Sequence, residues 1–288
     1  RATNKPRLSH SIAQRYHTPS TVQFGGHLRE RQSMVEYEVE AGVATLTIND
    51  PERRNPMSTE TMAGLARHMH DAVSDQSVRV VVFTGAGDKA FSAGGDLSGG
   101  FVDDPIGLHR QRGLLADLFR TMWRGGKPTV ARVNGHALAG GFGLAVACDI
   151  TICVDDAKLG VPEIDVGLWP MMITAALTRC MPEKAALELM MTGRLITPQE
   201  ALALGGVSRV VDRGDLDEVV SDTAAMLAAK SQAALMLGRD AFYSVARADF
   251  DTALDRLQGG LTAIAATDDA AEGVRSFLEK RKPQWSDS

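Results

Sequence analysis

An α/β fold with a stacked core of parallel strands is the architecture this sequence predicts, and three observations predict it. Short apolar runs rich in β-branched residues alternate with segments of helical period as far as about residue 210. Two of those runs lead into glycine-dense loops. The 288 residues are 44% hydrophobic and 23% charged, close to the globular average, which excludes collagen, coiled coil or disorder as a reading of the whole chain.

The elements follow in order. Val39, Val43, Thr45, Thr47 and Asn49 alternate with Ala44, Leu46 and Ile48, a strand or hairpin that turns at Glu40-Ala41-Gly42 and ends at Asp50-Pro51. Ser58-Thr59-Glu60 opens a helix running to about Val73, with Met62, Leu65, His68 and Met69 near helical spacing. Arg79 to Thr84 is an uninterrupted apolar run, the pattern of a strand buried on both faces. The glycine-dense Phe91-Ser92-Ala93-Gly94-Gly95-Asp96-Leu97 follows, then a glycine-rich loop at 98–104 and a helix from about Ile106 to Trp123. Lys127 to Val133 reads as a strand entering the second glycine loop, Asn134 to Gly143, and an apolar helix to Ala147. Further strands are expected at Asp149 to Val154, Lys158 to Glu163 and Val207 to Val211, with Ala-rich helices from Leu216 to Lys282 forming an appended region.

Charge divides the chain unevenly. Residues 1–33 carry a net +5, leaving −10 on the remainder. A body that acidic is a poor nucleic-acid binder. The basic start shows no periodicity and is expected to be an N-terminal extension, disordered or non-native, ahead of Met34; an Arg-rich transit segment is the alternative. No apolar run reaches the roughly 18 residues that span a bilayer. Cys148, Cys153 and Cys180 lie in apolar surroundings without metal spacing and read as buried thiols of a reducing compartment. No metal is expected. A cytoplasmic location follows, or the mitochondrial matrix if residues 1–33 are a native transit segment.

The glycine loops match no nucleotide-binding pattern, neither G-x-x-x-x-G-K-[ST] nor a strand–helix G-x-G-x-x-G with its distant acid. Glycine loops leave backbone N–H groups unpaired and admit a ligand closely, and the second also feeds a helix N-terminus. Two such loops face to face would aim two donors at one oxygen. Tight helix-on-strand packing is the alternative reading of the same glycines.

The chain resembles the crotonase, or enoyl-CoA hydratase/isomerase, family from about Tyr37 to Trp285. The resemblance rests on Pro51-Glu52-Arg53-Arg54-Asn55, Ala90 to Leu97, Asn134-Gly135-His136-Ala137-Leu138-Ala139-Gly140-Gly141, Cys148-Asp149-Ile150, Pro162 to Leu168, Thr192-Gly193-Arg194 and Glu272 to Arg281. It implies a crotonase-like ββα/βαβ spiral core at 34–225 and a C-terminal helical trimerisation region at 226–288, in a homotrimer or dimer of trimers. It also implies an acyl-CoA thioester as ligand, coenzyme A being part of the substrate and no separate cofactor being needed. The oxyanion hole would fall on the N–H groups of Gly95 and Gly140, and adenine and pantetheine contacts around Arg53, Ala93, Asp96 and Leu97. Gly141, Pro162 and Gly167 would line the site, and Phe277 and Lys280 match a segment that reaches a neighbour's coenzyme A.

Family hydratases carry two glutamates; here the first position is Gly143 and the second Glu163. The resemblance is therefore to Δ3,Δ2-enoyl-CoA isomerases, which use one carboxylate to shuttle a proton. Hydration of a 2-enoyl-CoA is the first alternative, with Glu163 alone or aided by Asp165, which shares its side if the turn is extended; anchoring the loop is the main role expected of Asp165. A catalytically weak acyl-CoA-binding protein is the second. Apolar neighbours such as Leu168 and Trp169 are expected to raise the Glu163 pKa. His136 is expected to pack or hydrogen-bond, Asp149 to anchor a strand entry, and Met171-Met172 and Leu189-Met190-Met191 to fill the core or line an acyl pocket.

Overall fold

The structure is a computed structural model that describes residues 33–96 and 105–287, without the side chains of Pro105 and Leu108. The expectations for the N-terminal extension (up to residue 32), for Leu97 and for the loop at 98–104 lie outside the described residues.

The expected alternation resolves into one six-stranded sheet and a smaller layer of short strands. β1 (Val35–Glu40) and β2 (Val43–Ile48) form an antiparallel hairpin, and β2 pairs in parallel with β4 (Val80–Gly85). The sheet continues in parallel through β7 (Thr129–Val133), β9 (Ile150–Val154) and β11 (Arg209–Val211). All six residues of β4 are buried, as its continuous apolar run predicts.

The second layer is less visible in sequence. β5 (Ala90–Ser92), β8 (His136–Leu138) and β10 (Leu159–Gly160) form a three-stranded parallel sheet in the order β10-β8-β5. β3 (Pro56–Met57) and β6 (Gly94–Gly95) form a parallel pair. Each long strand is thus followed by a short strand and then a helix, and the unit recurs. β2 leads to β3 and α1 (Thr59–Ser74); β4 to β5, β6 and α2 (Pro105–Arg124); β7 to β8 and α3 (Gly140–Ala147); β9 to β10 and α4 (Met171–Cys180). The strand expected from Lys158 to Glu163 shrinks to two residues because Pro162 has no N–H to give a ladder.

Helix starts obey local chemistry. The Ser58 Oγ accepts the Thr61 N–H at 3.1 Å, capping α1 where the sequence places its start; such a cap contributes about 1 kcal/mol. Asp149 anchors the entry of β9 as expected, accepting from the Thr129 N–H at 2.7 Å and the Thr129 hydroxyl at 2.8 Å. It also pairs with Arg239 at 2.9 Å and accepts the Tyr243 hydroxyl proton at 2.5 Å. Cys148 and Cys153 are buried, and Cys180 is half-buried.

α5 (Glu183–Thr192) and α6 (Pro198–Ala203) precede β11; the C-terminal helices are α7 (Leu216–Ala228), α8 (Gln232–Val245), α9 (Phe250–Ala265) and α10 (Asp268–Leu278). α7 lies on β2, β4, β7 and β9, so the boundary expected at 225/226 falls inside a helix that covers the main sheet. α9 buries none of its residues and exposes Phe250, Leu254, Leu257 and Leu261. Arg79, just before β4, ties the C-terminal region down: it donates to the Ala228 carbonyl at 2.6 Å and the Lys230 carbonyl at 2.9 Å, and pairs with Asp287 at 2.6 Å. No described helix is long and apolar enough to cross a membrane.

Asp149→Ala is expected to cost about 3 kcal/mol, because it strands the nearly buried Arg239 guanidinium without its counter-ion. Urea unfolding of the two proteins measures it.

Candidate active site

The three groups singled out for chemistry leave the C-terminal ends of three short strands. Gly95 ends β6, Gly140 follows β8 at the start of α3, and Glu163 follows β10. The ladder aligns them: Ser92 pairs with Ala137, Leu138 with Gly160, and the Ala139 N–H donates to the Gly160 carbonyl at 2.8 Å. Carboxyl ends of parallel strands are where such folds bind ligands.

The two readings of the glycines separate residue by residue. A Cβ at Gly94 would lie 2.5 Å from the Ala139 Cβ, and one at Gly141 would lie 2.6 Å from the Ser92 Cβ. Those two glycines let one loop press on the other. A Cβ at Gly95 would meet nothing within 4 Å, and one at Gly140 only the Met57 side chain at 3.6 Å. Packing does not require glycine there, whereas a ligand approaching the backbone does.

Gly95 and Gly140 each come one residue after the touching pair Gly94 and Ala139. The N–H of Gly140 precedes the first hydrogen bond of α3, from the Gly143 N–H to the Ala139 carbonyl at 3.0 Å, and so points out of the helix start. Ala139 holds that start with φ +49°, a conformation costly for a residue with a Cβ. Met57 joins the two loops: it is the register partner of Gly95, and its side chain lies beside Gly140.

Two buried asparagines fix the loops from behind. The Asn55 amide donates to the Ala90 carbonyl at 2.8 Å and the Ala86 carbonyl at 3.0 Å. Asn134 donates to the carbonyls of Gly85 at 2.9 Å and Gly87 at 2.7 Å, and accepts the Gly85 N–H at 3.2 Å. Both lie in stretches that carry the family resemblance, yet their role needs the folded loops to be seen; Met57 left no signal in the sequence.

Glu163 sits in a 3₁₀ turn, Pro162–Val166, closed by Gly167 at φ +74°. Pro162 and Gly167 therefore bracket it. Its Oε2 is buried and has no hydrogen-bond partner among the described residues. Burial raises the carboxyl above its ordinary value, because the charged form loses its water. Leu168 closes the same turn, its N–H donating to the Glu163 carbonyl at 3.0 Å. The turn is not extended. At three residues per turn, positions 163 and 165 point in different directions and Asp165 is exposed, so the condition on which Asp165 would serve as a second carboxylate is not met.

Arg53 and Asp96 are brought together, the guanidinium donating to Asp96 at 3.1 Å and to Asp50 at 2.8 Å. The Ala93 N–H donates to the Arg54 carbonyl at 2.9 Å beside them. Phe277 and Lys280 lie at the end of α10, whose main packing partners are α8 and α9, and Phe277 is 81% exposed. His136 hydrogen-bonds as expected, its Nδ1 accepting the Lys158 N–H at 3.0 Å. It borders a cavity of about 290 Å³ lined also by Arg54, Lys89 and Arg213, at the amino end of the short strands, away from Glu163.

Two glycine loops and a carboxyl with one buried oxygen thus follow strands of the same short layer. The enoyl-CoA hydratase/isomerase family model matches residues 38–288, and the chain belongs to that family. A Thermus thermophilus chain bearing a provisional enoyl-CoA hydratase name is 38% identical over 254 residues, 86% of this chain and 99% of that one. A crotonyl-CoA hydratase of Syntrophomonas wolfei is 34% identical over 251 residues, 86% of this chain and 96% of its own. The crystal structure of an enoyl-CoA hydratase of Mycobacterium smegmatis superposes with a TM-score of 0.84 at 33% identity, covering 88% of this chain and 99% of that one. The crotonase fold implied by the motifs is thereby borne out, and the protein is an acyl-CoA enzyme of the hydratase/isomerase type.

Gly94→Ala is expected to lower the melting temperature by at least about 3 °C, since its φ of +90° and the Ala139 contact both resist a Cβ. Differential scanning calorimetry measures the shift.

Proposed function

We propose that the protein moves a double bond within an enoyl-CoA thioester, in the manner of a Δ3,Δ2-enoyl-CoA isomerase. Glu163 in its carboxylate form takes a proton from C2 of a 3-enoyl thioester. The electrons released pass onto the thioester oxygen, which the N–H groups of Gly95 and Gly140 hold as an enolate. Collapse of the enolate shifts the double bond to C2–C3, and Glu163 returns the proton to C4. One preorganised donor of this kind is worth roughly 3 kcal/mol. Arg53, Ala93, Asp96 and Leu97 would contact the adenine and pantetheine, with Gly141, Pro162 and Gly167 lining the acyl end.

The observation that carries this reading is the buried, unpartnered Oε2 of Glu163. A carboxyl with its pKa raised by burial is a stronger base when ionised and lies nearer the operating pH, so that one group can take up a proton and return it. Hydration of a 2-enoyl-CoA is the second reading, favoured by the activity that names the Syntrophomonas wolfei relative. The exposed apolar side chains of α9 support the homotrimer or dimer of trimers, in which Phe277 and Lys280 would serve a neighbour's site.

Glu163→Gln is expected to lower isomerisation of 3-enoyl-CoA by about 10²–10⁴-fold while leaving CoA-ester binding within a few-fold. Mass spectrometry in D2O reads double-bond migration and deuterium uptake together. Unchanged turnover removes Glu163 from the mechanism, and water addition to 2-enoyl-CoA by the native protein selects hydration. Ionised Glu163 is the starting form, so kcat/KM should fall on the acid side at a pH above the ordinary carboxylate range. Its raised pKa also means that the folded state holds the proton more tightly than the unfolded one. Stability is therefore lost as pH rises from the ordinary carboxylate value through the raised one. The Gln variant should melt higher than the native protein at neutral pH and lose that advantage below the ordinary value.

A further inference from the structure

Gly143 lies on α3 one turn after Gly140, and α3 is buried from Gly141 to Ala147. Residues three apart share a helix face, and every Cα–Cβ bond tilts toward the helix N-terminus. A side chain at 143 would therefore lean toward the N–H of Gly140. The space it would enter is filled. A Cβ at 143 would lie 2.5 Å from the Ile173 Cγ2, 2.9 Å from its Cγ1 and 3.1 Å from its Cβ. The obstacle is the branched base of the side chain, which no rotamer change removes. Ile173 is 4% exposed on α4, and α4 packs along α3.

We infer that Ile173 is a specificity-determining residue, one that holds the site to a single carboxylate by occupying the volume a second acid at 143 would need. The inference rests on the reading of Glu163 as a lone proton shuttle. Adding water to a 2-enoyl thioester deprotonates the water as its oxygen bonds to C3 and delivers a proton to C2. A second carboxyl leaning toward the oxyanion donors would orient that water. The methyl and methylene groups of Ile173 offer water no hydrogen bond. Because the obstacle sits on α4, a change at 143 alone does not install the second acid, and substitution at both positions does.

The test uses the full chain with Gly143→Glu, Ile173→Ala and the double variant, each given 2-enoyl-CoA and 3-enoyl-CoA. Hydration by the double variant is expected to exceed that by either single variant by about 100-fold. Gly143→Glu alone is expected to melt several degrees below the native protein. Equal hydration by Gly143→Glu and by the double variant overturns the inference, as does a double variant that folds, binds the esters and gains no hydration.

A second measurement is independent of the reaction. Gly143→Ala should lower the melting temperature by about 3 °C or more through the same collision, and combined with Ile173→Ala the loss should be smaller than the two single losses added. Additive losses overturn the steric claim. If the native protein hydrates 2-enoyl-CoA and leaves 3-enoyl-CoA unchanged, the isomerase reading fails while the melting cycle still decides the role of Ile173.

Discussion

The hydrogen bond from the Ala139 N–H to the Gly160 carbonyl joins the loop that carries Gly140 to the loop that carries Glu163. On its other side Ala139 touches Gly94, so one residue meets all three segments of the site. The backbone conformation of Ala139 is unfavourable by itself and persists only because its neighbours over-determine it. Turning the chain at that residue sends the first N–H groups of α3 outward instead of along the strand. The short sheet holds the strain, and the six-stranded sheet holds the short sheet through Asn55 and Asn134.

Electrostatics at the site depend on what is missing as much as on what is present. Polar support in the loops goes to backbone groups, through buried amides that carry no charge. The carboxyl is left with one oxygen shielded from water and from other donors. Arg53, held beside Asp96 at the end of β6, is neutralised by Asp50 and Asp96 and is half-exposed. Glu163 therefore feels mainly the loss of water, which raises its proton affinity, and little opposing charge that would lower it.

How far the sequence reached varies with the length of each element. β2, β4, β7, β9 and α1 could be read from periodicity, because five or more residues suffice to reveal a pattern. β3, β5, β6, β8 and β10 have two or three residues each, too few for any period, and of that second layer only β10 was anticipated, within the strand expected from Lys158 to Glu163. The motif resemblance singled out Gly95, Gly140 and Glu163 without showing that all three follow strands of one short layer. It did not expose Met57, whose effect passes through a register partner and a neighbour across a loop. The extended turn that would have put Asp165 on the side of Glu163 does not form, because a proline and a glycine coil that segment. The volume that Ile173 takes from any side chain at 143 links positions thirty residues apart and has no local signature.

The Arg79 clamp bears on how the protein comes apart. α9 has no buried residue of its own, and helices with so little apolar contact usually open first and alone. Here one guanidinium under the main sheet grips the α7–α8 turn and the Asp287 side chain near the C-terminus. Releasing α8 and α10 at those anchor points takes away ligands of a group that sits against the β1–β2 turn at Gly42.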